Sequence, residues 1–121
     1  MHNRQRLGQR GETVAAEKLA ALGYEIVARN YRCVSGEIDL IARHNATWVF
    51  VEVRTRRSEK FGTPEESITP RKRTHLIASA QSYLQEKQLM EVAWRIDVVA
   101  VEFSAPGKLL RVDVIENAVQ G

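Results

Sequence analysis

The sequence predicts a mixed α/β fold, a sheet with helices packed on it, in the order α-β-β-β-α-β-β. Three observations carry this expectation. Two segments show apolar residues at helical spacing, each with a recognisable end signal. Several others alternate in the manner of strands. A helix also lies between the third and fourth strand segments, as in a right-handed crossover between parallel strands. The chain has 121 residues, of which 44% are hydrophobic and 27% charged. That is enough apolar material for one packed core, so a single domain over residues 1–121 is expected.

The first helix is expected from about Gly8 to Leu22. Ala15, Leu19 and Leu22 recur at helical spacing, with Val14 and Ala16 beside them, and Gly23 ends the run as glycine does at C′. Tyr24 to Asn30 reads as a strand centred on Ile26 and Val27. Gly36-Glu-Ile-Asp-Leu-Ile41 and Val49-Phe-Val-Glu-Val-Arg54 both alternate charged and apolar residues, and a tight turn over His44-Asn45-Ala46-Thr47 joins them. Arg56 to Thr69 holds Gly62 and Pro64 without a clear period and reads as a loop. The second helix opens with Thr69 as N-cap and Pro70 as N1. Its stripe is Leu76, Ile77, Ala80, Tyr83 and Leu84, and it frays near Lys87. Trp94 to Phe103 reads as a strand, Pro106-Gly107 as a turn, and Leu109 to Ile115 as the last strand.

The hairpin carries the main chemical clue. With Asn45 and Ala46 as loop residues, Asp39 falls opposite Glu52 and Glu37 opposite Arg54. Side chains two apart share a face, so these four form one polar cluster. Like charges facing each other destabilise a sheet. A cation must compensate, and Mg²⁺ is held by one or two carboxylates with waters and phosphate oxygens. Glu37 reads first as a salt-bridge partner for Arg54. Asp97, alternating with Arg95 and Val99, reads as a supporting or structural carboxylate, and Glu17 as a solvated helix residue.

The net charge is +3, with a sequence pI of about 9.3, and the cations are clustered. Arg4, Arg6 and Arg10 form one group, Arg54, Arg56, Arg57 and Lys60 a second, and Arg71, Lys72 and Arg73 a third. Each alone reads as a solvated face. Together, beside a carboxylate site, they suit a nucleic-acid backbone. The third group sits in the first turn of a helix, where the macrodipole disfavours cations. A bound polyanion, or pairing with Glu65 or Glu66, would relieve that conflict. Cys33 is the only cysteine, which excludes an intramolecular disulfide or a zinc motif. His2, His44 and His75 lack ligand spacing and read as surface residues. Trp48 reads as packing opposite Arg43. Tyr31 and Phe61 are candidates for stacking on bases. No secretory signal and no run approaching ~18 apolar residues is present, so a cytoplasmic location is expected.

The order of motifs resembles the YraN-like family of bacterial proteins. It runs through Gly11-Glu12, Gly23-Tyr24, Arg29-Asn30, Gly36-Glu-Ile-Asp-Leu-Ile41, Phe50-Val-Glu-Val53, Lys72, Ala80, Tyr83-Leu84 and Arg95-Ile-Asp97. That family in turn resembles the PD-(D/E)XK, or restriction-endonuclease-like, nucleases, and within them the Holliday-junction resolvases. The resemblance implies a mixed sheet with an α-β-β-β-α-β core. It also implies a Mg²⁺- or Mn²⁺-dependent endonuclease acting on DNA, including branched DNA, and a homodimer. Asp39 and Glu52 correspond to the metal-binding acids, and Glu12 to a glutamate many resolvase-like members carry on the first helix. Arg54 stands where the superfamily usually has lysine. Arginine keeps the charge but cannot release a proton at working pH. This departure keeps a second expectation open, a non-catalytic nucleic-acid-binding module. In either case Arg54, Arg56, Arg57, Arg71, Lys72 and Arg73 are the expected nucleic-acid contacts. A third expectation, a protein-interaction scaffold, makes the basic clusters incidental.

Overall fold

A computed structural model describes residues 2–57 and 68–119, with side chains from residue 6 onward. Its elements are α1 (His2–Ala21), β1 (Glu25–Cys33), β2 (Gly36–His44), β3 (Thr47–Arg57), α2 (Pro70–Glu86), β4 (Trp94–Phe103) and β5 (Leu109–Val119). They form a mixed α/β fold around one sheet of order β1-β2-β3-β4-β5. All neighbours are antiparallel except β3 and β4, the parallel pair whose connection contains α2. Most of the expected loop over Arg56–Thr69, together with Lys60, Phe61, Glu65 and Glu66, lies outside the described residues.

Each face of the sheet has its own core. Ala15 and Leu19 of α1 pack with Leu40, Val49, Val51, Val99 and Phe103 on one face. Leu76, Ala80, Tyr83 and Leu84 of α2 pack with Ile38, Ile41, Phe50, Ile96 and Val98 on the other. None of the described helices is long and apolar enough to cross a membrane.

The end signals of both helices act as expected. Gly23 adopts φ +95, and Tyr24 N–H reaches back to Leu19 O at 2.9 Å, a Schellman closure. The Thr69 side chain accepts from Lys72 N–H at 3.1 Å. Several boundaries differ from expectation, and β3 runs on to Arg57, so Arg56 and Arg57 belong to a strand and not to the expected loop. Helix α1 starts six residues early, across polar residues that show no stripe. Strands β1 and β5 continue past Asn30 and Ile115, each through an asparagine at positive φ, Asn30 and Asn117. Asparagine tolerates that conformation inside a strand as an irregularity, whereas in sequence it resembles a terminator.

Candidate functional site

The hairpin register is as expected from His44↔Thr47 to Leu40↔Val51, and there it stops. Asp39 and Glu52 are therefore not a ladder pair. On β1, Asn30 at φ +55 falls opposite Asp39 in the β1–β2 register. The strands are irregular at this point, and β2 parts from β3. Asp39 bridges the fork: its Oδ2 accepts the Val53 N–H at 2.8 Å, replacing a ladder bond. The expected Glu37–Arg54 pair is also corrected. Glu37 stays opposite Arg32 on β1, in an exposed ion pair of 3.8 Å, while Arg54 Nε lies 3.2 Å from Glu52 Oε2.

A pocket of about 440 Å³ opens at the fork, lined by Leu7, Gly8, Glu12, Asp39, Glu52 and the stretch Val53–Arg56. Helix α1 approaches β3 closely here because residue 11 is glycine. A Cβ on Gly11 would collide with the Thr55 side chain. That approach carries Glu12 to the pocket from the α1 side. Lys72 arrives from the α2 side, with Nζ 3.7 Å from Glu52 Oε2.

The electrostatics follow from burial. Glu52 is only 4% exposed. Desolvation, then the charge of Asp39, pushes its carboxyl from 4.5 up to about 7, and Lys72 and Arg54 only partly oppose this. Burial also raises Asp39, against the Val53 N–H bond. Glu12 is raised by burial and then by Asp39, with Arg29 and Asn30 acting in the other direction. Three acids thus resist ionisation around one hollow, despite two nearby cations. Among the described residues no group of three His, Cys, Asp or Glu is placed to enclose a metal. Buried Glu52 and half-buried Asp39 instead offer an all-oxygen, half-open donor set. That fits a hard ion retaining waters rather than zinc.

The expected nucleic-acid residues separate. Arg54 and Arg56 line the pocket, and Arg57 lines a neighbouring cleft. Lys72 turns inward to Glu52, while Glu65 and Glu66, the partners expected for this cluster, lie outside the described residues. Arg71 and Arg73 are exposed, and Arg73 borders a different hollow with Ile68, Val98 and Ile115. Sequence reasoning placed Lys72 on the outer surface. The Thr69-Pro70 cap fixes where the helix begins, but not that its third residue meets β3. Asn30 was also missed as part of the fork.

Asp97 is structural. Fully buried, it accepts from Tyr24 Oη at 2.9 Å, Arg95 Nε at 3.0 Å and Asn117 N–H at 2.9 Å. His44, expected at the surface, is half-buried and stacks on Tyr24 with ring centroids 4.1 Å apart. Trp48 packs beside Tyr83 with Arg43 over its ring. Tyr31 sets its ring edge against Tyr83 and donates to Glu86 at 2.9 Å.

Comparison with known proteins agrees with the motif order. The profile of the Uncharacterised protein family UPF0102 matches residues 11–101. The chain is 45% identical to the UPF0102 protein of Dehalococcoides mccartyi over 118 residues, 98% of this chain and 96% of that one. It is 48% identical to the UPF0102 protein of Roseiflexus castenholzii, covering 97% and 95% of the two chains. The match to that of Moorella thermoacetica is also 48%, covering 95% and 96%. With a profile match over residues 11–101 and relatives that match nearly the whole chain, the protein belongs to the uncharacterised protein family UPF0102, the YraN family.

Proposed function

We propose that this protein is a metal-dependent endonuclease of the PD-(D/E)XK type that hydrolyses phosphodiester bonds in DNA. The observation that carries the reading is the pair of carboxylates, buried Glu52 and half-buried Asp39, set at a fork in the sheet with their pKa values raised. A pair of this kind, only partly compensated by Arg54 and Lys72, favours a further cation, and perturbed acids in a cleft are a signature of functional sites. Asp39 and Glu52 would hold Mg²⁺ or Mn²⁺. When bound, such an ion polarises the scissile phosphate and lowers the pKa of a bound water. Arg54 faces the same pocket and stabilises charge developing on the phosphoryl oxygens. Lys72 brings to Glu52 the ammonium that position 54 lacks. The substitution at Arg54 therefore leaves the site with both a fixed guanidinium and an amine. Glu12 adds a carboxylate from α1 that can orient water.

The test is cleavage of single-stranded, duplex and four-way-junction DNA with Mg²⁺ or Mn²⁺, alongside metal titration by calorimetry. Asp39→Asn is the informative variant, since its amide oxygen can still accept from Val53 N–H. Loss of both metal affinity and cleavage supports the reading, and unchanged metal affinity refutes it. Arg54 is the feature that favours the second reading, a binding module that keeps the fold. Salt-sensitive DNA binding without metal binding or cleavage identifies that case. Dimerisation, implied by the resemblance to resolvases, is measured by sedimentation.

A further inference from the structure

A second hollow, of about 180 Å³, adjoins the carboxylate pocket and is lined by Arg6, Leu7, Arg10 and Arg57. Leu7 forms part of both, and on β3 the lining runs on from Arg54, Thr55 and Arg56 to Arg57. Arg6 and Arg10 stand one turn apart on α1, in a helix with no acidic residue in its first turn. Like charges at that spacing repel, and the helix dipole adds to the strain. Among the described residues none of the three arginines has a carboxylate partner.

Two of the guanidinium groups are nevertheless held in place. Arg10 donates from Nη2 to Gly107 O at 2.9 Å and lies 4.3 Å above the Phe103 ring centroid. Arg57 donates from Nη1 to Ala105 O at 2.6 Å. Each arginine has five N–H donors, so most remain for a ligand. Guanidinium groups that line one hollow, two of them held in place, match the oxygens of a phosphate. The hollow far exceeds the ~30 Å³ of one water. We propose that Arg6, Arg10 and Arg57 form a phosphate-binding cleft that holds the nucleic-acid backbone on the α1 side of the carboxylate pocket. This rests on the reading of that pocket as a nucleic-acid site. It places the strand across α1 and the end of β3, rather than over Arg71 and Arg73.

The test is fluorescence anisotropy of labelled DNA strands of increasing length, between 50 and 200 mM salt at roughly the range where such slopes are read. The double variant Arg6→Glu/Arg57→Gln is compared with Arg71→Glu, and circular dichroism checks folding. The expected result is binding weakened about tenfold or more, with the log–log salt slope reduced by about two. Arg71→Glu should change both much less, and Arg6→Lys alone should keep most of the affinity. Metal affinity measured by calorimetry should stay at the wild-type value, because the carboxylates are untouched. A folded double variant with the wild-type slope overturns the cleft while leaving the nuclease reading intact. So does a wild-type affinity that is the same for a free mononucleotide as for a long strand, which identifies a simple anion site. A wild-type protein without salt-sensitive DNA binding overturns both readings.

Discussion

Glu52→Gln should remove a pH dependence of stability that the buried carboxylate creates. Burial and Asp39 move the Glu52 carboxyl from 4.5 to about 7 in the folded protein. The folded chain therefore holds this proton more tightly than the unfolded chain. Stability is highest at the acidic end of that window, declines as pH rises from 4.5 to about 7, and is flat above it. A displacement of this size corresponds to about 3 kcal/mol. Asp39 and Glu12 are raised as well and act in the same direction. Glutamine preserves the shape but has no charge to desolvate. It also leaves Arg54 and Lys72 without their shared carboxylate, so the net gain at pH 8 should be roughly 1–3 kcal/mol. Urea unfolding followed by the fluorescence of half-buried Trp48 and Trp94, at half-unit steps from pH 5 to 8, reads this directly. Mg²⁺ at a hundred times its dissociation constant should stabilise the wild type by about 2.7 kcal/mol and the variant much less. Parallel pH curves for the two proteins would refute the reasoning, as would wild-type stability that rises between pH 5 and 7.

Gly11→Ala should destabilise by roughly 1–3 kcal/mol in the same urea assay, because the added Cβ meets the β-branched Thr55. The opposite sign, the ~1 kcal/mol helix-propensity gain of alanine, would show that α1 can lift away freely. Asp97→Ala should cost roughly 3–5 kcal/mol, since it strips Arg95, Tyr24 and Asn117 N–H of a shared buried acceptor. A loss under 1 kcal/mol would show that water replaces the carboxylate. Arg54→Lys should retain or raise cleavage, whereas Arg54→Ala should lose roughly two to three orders of magnitude in kcat with little change in DNA affinity. Full activity in the alanine variant would remove Arg54 from the chemistry.

The local parts of this fold were legible in the sequence, as was the parallel crossover from β3 through α2 to β4, but the meeting of side chains at the fork was not. Periodicity located both helices, each of which buries one face, and apolar runs between turn signals located all five strands, of which β3 and β4 are buried on both faces. The Asn45-Ala46 turn fixed the hairpin register correctly through Leu40 and Val51. One step further, the same logic set Asp39 directly across from Glu52. It failed there because the β2–β3 ladder ends at Leu40 and Val51, beside a left-handed Asn30 on another strand. A backbone irregularity shared between two strands leaves no period in either. The convergence of Lys72 on Glu52 was equally invisible, since it depends on how α2 settles on the sheet. The arginines suffered the opposite error. Three clusters in sequence became a pocket, a cleft and an exposed helix face, because clustering along the chain is not clustering in space.

The fork between β2 and β3 also bears on how the protein folds. Glu12 reaches it from the α1 core, and Lys72 from the α2 core. The hairpin that bears Asp39 and Glu52 is local and can close early, with both carboxylates still hydrated. β4 is different: it pairs with β3 in parallel, so the crossover must be ordered first, and such non-local pairing is slow. Desolvation of Glu52 beside Val98 accompanies that docking. Charge repulsion is therefore imposed at a late stage of folding, when the hydrophobic cores are already gaining enough to carry it. A partly folded chain would hold the right carboxylates and Arg54 without Lys72 or the buried setting that make them a site. Completion of the site coincides with completion of the fold.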